Sequence, residues 1–330
     1  MLASWERRDC GVELFERELE GFVPPAVFDA HAHLYRRAQW PEPPAMIESG
    51  PEVVTLGRYR ELMDSLLPRR HVDGLFLGFG GAEVVAEVNA FVAGEVGGDG
   101  GCACGMLVTP DLEPDYVREQ VRRHRFAALK PYHRFARRQT TWEADIDEFL
   151  PEAHAQVAHE EGLCVVLHLV KSRAAADPGN QAAIRHYCTR YPDMRLILPH
   201  AARGFNPHHT IEGLSKLRDL PNLYCDTSAI TDGGALEAII EMLGPERLMY
   251  GSDFPVSHFR GRCVGIGDSF LWLYEDTLDW TAVAAYASLQ PVFVGLEALR
   301  CLKLAARHTR LSDTQMEGIF GANARRLLGR

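Results

Sequence analysis

Residues 163–170 read Leu163-Cys164-Val165-Val166-Leu167-His168-Leu169-Val170, and residues 195–200 read Arg195-Leu196-Ile197-Leu198-Pro199-His200. Between them, residues 181–191 return apolar side chains every three or four positions. A strand solvated on one face alternates apolar with polar, whereas these runs are apolar almost throughout, as expected of strands covered on both faces. The three segments therefore predict a strand, a helix and a second, parallel strand. Working outward, runs of the same kind occupy residues 27–34, 72–79, 102–108, 126–130, 223–228 and 247–253, which makes eight in all. Segments of helical period lie among them at 83–94, 114–125, 146–161 and 234–243. Eight such units predict an α/β fold closed as a (β/α)8 TIM barrel. The rival is an open doubly wound sheet, which usually carries a glycine-rich phosphate turn after its first strand. Here the first strand ends in Ala30-His31-Ala32-His33, and Gly78-Phe79-Gly80-Gly81 after the second lacks the phosphate-binding spacing, so it is read as a backbone turn.

A barrel of this kind takes about 250 residues, so 330 accommodate one domain with long loops. Residues 1–24 read as an N-terminal helical extension, with an amphipathic helix at 5–22, and residues 25–330 as the barrel domain. Residues 36–52, 133–145 and 254–279 exceed ordinary connections, and all three follow a strand's carboxyl end, where barrels build their active sites; they are candidate lids. Pro41, Pro43, Pro44 and Pro51 make the first a loop rather than a helix. Residues 280–307 read as closing helices, and they or the extension are the candidate surfaces for a homodimer or larger homo-oligomer.

Hydrophobic residues at 46% against 24% charged can fill a large core, which excludes a disordered chain or a fibre. A net charge of −10 repels phosphate backbones, so no nucleic-acid partner is expected. Charges interrupt every apolar pair near the amino terminus, and no run of about 18 apolar residues occurs, so neither export nor a membrane is expected. The eight cysteines form no CxxC pair and several sit inside apolar runs, as suits reduced thiols in a cytoplasm.

His31 and His33 stand two residues apart on the first strand, and a period of two sends both imidazoles to one face, the interior in a barrel. Two core or loop histidines would read the same way. Further residues of ligand type end other strands, however: His168, His200 and Asp253. A barrel brings its strand ends to one mouth, where burying so many polar groups is costly without a shared ion or a hydrogen-bond network.

The Ala30–His33 run, Ala128-Leu129-Lys130-Pro131, Leu167-His168, Pro199-His200, Cys225-Asp226-Thr227-Ser228, Tyr250-Gly251-Ser252-Asp253-Phe254-Pro255 and the terminal stretch 320–329 together resemble the amidohydrolase-related family of the amidohydrolase superfamily, over about residues 27–329. The resemblance implies a barrel holding one divalent ion, usually zinc and alternatively manganese, through His31, His33, His168 and Asp253. It also implies that His200 either binds a second ion or works on the substrate unligated. Lys130 is carboxylated and bridges two metals in some amidohydrolases; here it is read as an unmodified ammonium that binds a substrate anion. An ion with an open position acidifies water, and Asp253 then serves as proton shuttle while His200 polarises the carbonyl.

Arg134, Arg137, Arg138, Lys171, Arg173, Arg203, Arg260 and Arg262 follow strand ends in a chain of negative charge, which suggests a small anionic, carboxylated substrate. Arg173 and Arg203, a few residues beyond His168 and His200, are the candidate anchors, joined by Lys130 and His133. Trp40, Tyr132, Trp142 and Phe254 are candidate aromatic walls, and His208 and His209, in an Asn-Pro-His-His-Thr turn, are read as loop residues. The leading functional reading is a metal-dependent hydrolase of a lactone, amide or ester. The alternatives are a nonoxidative decarboxylase or hydratase using the same ligands and, from another class, a noncatalytic metal-binding barrel.

Overall fold

Eight short parallel strands carry the fold in the computed structural model, which describes residues 5–279 and 290–330. β1 (Ala26–Arg36) pairs antiparallel with the two-residue β2 (Val53–Val54) and parallel with β3 (His71–Gly78). β4 (Ala103–Val108), β5 (Ala128–Pro131), β6 (Cys164–Val166), β7 (Arg195–Leu198), β8 (Leu223–Asp226) and β9 (Leu248–Met249) follow in sequence order, each parallel to the last. The two ends of this sheet meet. The Ala30 N–H donates to the Tyr250 carbonyl at 2.8 Å, the Asp253 N–H to that of His31 at 2.8 Å, and the His33 N–H to that of Phe254 at 3.0 Å, so the residues beyond β9 close onto β1. Each apolar run of the sequence carries one of the eight parallel strands.

Between strands lie helices Leu56–Met63, Val85–Val96, Pro114–His124, Glu152–Glu160, Pro178–Arg190, Pro207–Ser215 and Gly233–Met242. Pro207–Ser215 corrects the reading of His208 and His209 as turn residues. Asn206 caps that helix by accepting from the His208 N–H at 3.2 Å, with Pro207 in the first helical position, a start signal hidden in what reads as turn chemistry. The proline-rich segment 36–52 likewise holds a helical turn, Ala45–Glu48, started after Pro44. Segment 254–279 is no simple loop: β10 (Gly261–Ile266) and β11 (Ser269–Tyr274) form an antiparallel hairpin across a two-residue Gly267-Asp268 turn, with Gly267 at φ 58°.

At the amino terminus, helix Asp9–Leu14 runs on as a wider turn, Phe15–Leu19, and buries Phe15 and Leu19 in the layer between barrel and helices. Of the expected closing helices, Val294–His308 is seen, while residues 280–289 lie outside the described residues. No described helix is long and apolar enough to cross a membrane.

Alternation along the strands sorts the core into two shells. Phe28, Ala30, Leu75, Leu77, Ala103, Ala128, Cys164, Val166, Ile197 and Met249 meet inside the barrel, where Ala324 and Leu327 of the last helix join them. Val27, Ala32, Leu34, Val72, Phe76, Val165, Leu196 and Leu198 face the helices. On β1 the parity changes: Phe28 and Ala30 point inward, yet Ala32 and Leu34 point outward. A register shift between Asp29 and Ala32 does this, the effect of a β-bulge, which re-aims every later side chain of its strand.

Candidate active site

The bulge turns His31 and His33 into the barrel mouth. Without it the inward parity of Phe28 and Ala30 would send both imidazoles toward the helices. On the other strands, plain alternation continues the inner face upward: Ala128 is followed by Lys130, Val166 by His168, Tyr224 by Asp226, and Met249 by Gly251 and Asp253. His200 arrives differently. Residues 200–203 all have φ between 51° and 59°, a full left-handed turn that costs roughly 1–2 kcal/mol per residue. Three hydrogen bonds hold it, from the Gly204 N–H to the His200 carbonyl at 2.6 Å, from the Thr210 hydroxyl to the Ala201 carbonyl at 2.7 Å, and from the His200 N–H to Asp226 Oδ1 at 2.8 Å. Asp253 is also left-handed, at φ 54°. Strain gathered at one end of a barrel marks a functional site.

Asp253 lies among three imidazoles. Its Oδ1 is 3.6 Å from His31 Nε2 and 3.7 Å from His33 Nε2, and its Oδ2 is 3.9 Å from His200 Nδ1. These separations exceed a hydrogen bond. Donors bound at about 2.1 Å on a tetrahedral ion stand about 3.4 Å apart, so the spacing suits side chains sharing a cation. Burial alone would raise the Asp253 carboxyl; His200, His33 and His31 outweigh it and hold the group well below its ordinary value. Burial, aided by Lys130, lowers His31, and burial likewise lowers His33, His168 and His200, so the imidazoles are kept neutral, the form that binds a metal.

Asp226 sets the tautomers. Its Oδ2 accepts from His31 Nδ1 at 3.0 Å, which leaves His31 Nε2 bare toward Asp253. Its Oδ1 accepts from the backbone of His200 and of Ser228, at 2.8 and 3.0 Å, and from the Ser228 hydroxyl. His200 Nδ1 faces the Ser228 carbonyl at 3.1 Å, which can only accept, so that nitrogen carries the proton and Nε2 is bare. His168 Nδ1 then donates to His200 Nε2 at 3.2 Å. His31 Nε2, His33 Nδ1 and His168 Nε2 are buried with no hydrogen-bond partner among the described residues. Of these, His31 Nε2 faces the ionised Asp253, and a bare imidazole nitrogen beside a carboxylate fits a divalent ion. Among the described residues, His31, His33 and Asp253 form one compact ligand cluster. His168, the fourth ligand expected from sequence, stands apart from that cluster against His200.

Asp29 is a further buried carboxylate: Oδ1 accepts from the backbone of His31 and Ser252, at 3.0 and 2.8 Å, and Oδ2 from the Tyr59 hydroxyl at 2.6 Å. Burial raises it to about 6 despite those donors. The sequence reading gives neither Asp226 nor Asp29 a role, although Asp226 stands in the Cys225–Ser228 motif. Their signal is position, a carboxylate inside an apolar strand, at the end of one and the middle of the other.

The mouth opens into a cavity of about 400 Å³. All three long segments reach it, through Met46, Trp142 and the hairpin residues Phe270, Trp272 and Tyr274. Lys130 lines it, 2% exposed, and burial lowers its ammonium to about 8 against the pull of Asp253 and Asp226. Arg203 lines it too, donating to the Lys171 carbonyl at 2.8 Å and lying over the rings of Phe270 and Trp142 at 5.2 and 5.4 Å. No carboxylate of the described residues pairs with Arg203.

The other sequence candidates lie elsewhere. Arg173 does not line the cavity; it pairs at the surface with Glu212 at 2.6 Å and Asp268 at 3.3 Å, because its side chain turns toward the helix Pro207–Ser215 and the hairpin tip. His133 packs behind Trp142 at 4.3 Å and His168 at 5.6 Å, and burial lowers it to about 4. Tyr132 and Trp142 are cavity walls, whereas Trp40 packs on Phe79 and Phe254 on Tyr59. Lys171 and Arg138 are engaged with Asp145, and Arg260 lies on Phe293.

Comparisons with known proteins bear on the chain's family and fold. The chain is 28% identical over 124 residues to an L-fucono-1,5-lactonase of Burkholderia ambifaria, a match that covers 33% of this chain and 42% of that protein, so the chain spans about two fifths of the length of that curated relative. An amidohydrolase of Burkholderia multivorans, solved with bound HEPES and in another crystal form with bound zinc, is similar at TM-scores of 0.62 and 0.58 and 18% identity, covering 92% of this chain and 99% of that one. The 5-carboxyvanillate decarboxylase of Sphingomonas paucimobilis is similar at a TM-score of 0.55 and 16% identity, over 93% of this chain and 99% of that one. At such identities the solved structures bear on the fold, a TIM barrel. The amidohydrolase family itself matches residues 28–330, from the strand that carries His31 and His33 to the last helix, and the chain belongs to that family.

Proposed function

We propose that the chain is a metal-dependent hydrolase that opens a small carboxylated lactone, amide or ester. The observation that carries this reading is the ionised Asp253 ringed by neutral histidines at the floor of a cavity whose wall holds Arg203, paired with no carboxylate of the described residues. His31, His33 and Asp253 would hold the ion, zinc in this reading, while His168 lies off that cluster against His200. When bound, such an ion supplies Lewis acidity and acidifies a water molecule. Asp253 accepts a proton from the attacking water and returns it to the leaving oxygen or nitrogen. Lys130, buried and cationic, faces the charge that develops on the carbonyl oxygen. His200, with Nε2 bare, is a proton acceptor in this tautomer and orients His168. Arg203 takes the substrate's carboxylate, since a desolvated guanidinium matches it with two parallel donors.

The test is a panel of carboxylated lactones and unsaturated carboxylic acids assayed on metal-reconstituted protein. Stoichiometric acid without gas is the expected result. Release of CO2 would move the reaction to a nonoxidative decarboxylase, the activity named for the Sphingomonas neighbour. A protein that binds no divalent metal and turns over nothing would overturn both and leave a noncatalytic barrel.

A further inference from the structure

The two segments that carry the candidate metal ligands are joined behind the mouth by one side chain. Asp29 is the last residue of β1 in register before the bulge, paired with Gly74 of β3, and it is wholly buried outside the lining of the cavity. A bulge interrupts the ladder, and a backbone donor within it needs another acceptor. The His31 N–H finds one in Asp29 Oδ1, two residues earlier, at 3.0 Å, a local bond that aspartate makes readily. The same oxygen accepts the Ser252 N–H at 2.8 Å, from a residue 223 positions away. Ser252 immediately precedes Asp253, whose own N–H donates to the His31 carbonyl at 2.8 Å. These three bonds close a loop around the backbones of His31 and Asp253.

Both backbones need holding. His31 sits in the bulge, and Asp253, at φ 54°, keeps a conformation that residues other than glycine hold only where their surroundings over-determine it. Two further contacts fix the clamp itself. Asp29 Oδ2 accepts from the Tyr59 hydroxyl at 2.6 Å, so the carboxylate gives up a bond if it turns. On the facing strand, a Cβ at Gly74 would lie 2.7 Å from the Asp29 carbonyl oxygen, so glycine is what lets β3 approach the bulge this closely. Among the described residues no cation pairs with Asp29; two amides and one hydroxyl account for its place in the interior. We propose that Asp29 is a positioning residue for the cation site, setting the 3.6 Å separation of His31 Nε2 and Asp253 Oδ1, and with it the affinity for a divalent ion, while touching neither ion nor substrate. This rests on the metal-binding part of the reading above and not on the reaction.

The test reads zinc affinity by competition with a chelating dye, and coordination geometry by the visible spectrum of the cobalt-substituted protein. Asp29→Ala should bind zinc about 10–100-fold more weakly, the usual worth of a group that orients a ligand, and shift the cobalt bands. Asp29→Asn should restore most of the affinity, since its amide oxygen still takes both backbone donors and its NH2 donates to Tyr59. Ile197→Ala, in the apolar barrel core away from the clamp, loses stability and should keep the parental affinity. Where Asp29→Ala does not fold, Tyr59→Phe, which removes only the donor to Oδ2, should weaken zinc binding by a smaller factor. Parental affinity and cobalt spectrum in folded Asp29→Ala, or in Tyr59→Phe where only that variant folds, overturn the clamp and leave the metal site. Asp29→Asn as weak as Asp29→Ala overturns it as well, because the charge and not the bonds would then matter. An equal loss in Ile197→Ala overturns it by showing a general weakening. A parent protein that binds neither zinc nor cobalt overturns the metal reading together with the clamp.

Discussion

The two ends of the barrel interior are built by the same strands to opposite purposes. At the lower end the inner face carries Phe28, Leu75, Ala103 and Ile197, sealed by Ala324 and Leu327, and below them Asp73 ties Arg325 at 2.6 Å and Arg60 at 3.2 Å. Two to four residues further along, that face carries Lys130, His168, Asp226 and Asp253. The lower end buries carbon, which stabilises by about 25 cal/mol per Å² removed from water. The upper end buries ionisable groups, whose lost hydration mutual hydrogen bonds offset. Stability and chemistry are therefore separable along one set of strands, and substitutions at the two ends should fail in different ways.

Asp253→Asn probes that separation most sharply. It should lower kcat about 10²–10⁴-fold, the usual worth of a positioned acid or base, while the protein stays folded, because the apolar lower end is untouched. A variant that keeps full turnover with metal bound would contradict the proton-transfer role. At the lower end, Ile197→Ala should cost about 2–5 kcal/mol in urea unfolding and leave kcat unchanged; a loss of activity without loss of stability would show that the ends are coupled. Acid should weaken the upper end first. His258 is wholly buried between Trp5, Phe254 and Phe293, and burial lowers it to about 4 from an ordinary value of about 6.5. Between those values the unfolded chain binds the extra proton, so stability is complete above pH ~6.5 and is lost as pH falls toward 4. About 2 kcal/mol should disappear between pH ~6.5 and 5, and His258→Asn should flatten that slope in urea midpoints. Smallest is Asp226→Asn, which keeps an acceptor for His31 but loses its charge; metal affinity, read by competition with a chelating dye, should fall about 10–100-fold. An unchanged affinity would mean that His31 is oriented by packing alone.

Much of this was legible beforehand. Eight apolar runs announce eight strands because strands buried on both faces cannot hide their composition. His31, His33, His168, His200 and Asp253 announce themselves as polar residues where those runs end. The Gly267-Asp268 turn, flanked by alternating Phe270, Trp272 and Tyr274, also carried a hairpin signal inside a segment otherwise read as a lid. What escaped were relations between segments. Arg173 and Arg203 look alike in sequence, each a few residues beyond a strand-end histidine, yet one pairs with Glu212 at the surface and the other lines the cavity, paired with no carboxylate of the described residues.

The chain's own order of residues thus settled the number of strands and their parallel course, and it supplied the candidate cation ligands, since those follow from local periodicity and residue type. It placed both imidazoles on the interior face by alternation, yet alternation alone does not put them there. Phe28 and His31 sit on opposite parities of one strand, and only the bulge made by pairing β1 with β3 turns both inward. Nor could it reveal the left-handed turn at His200, which is held by Asp226 and Thr210 from other elements, or the neutrality of the histidines, which comes from burial. Those features depend on contacts between residues far apart in the chain, and such contacts exist only once the barrel has closed.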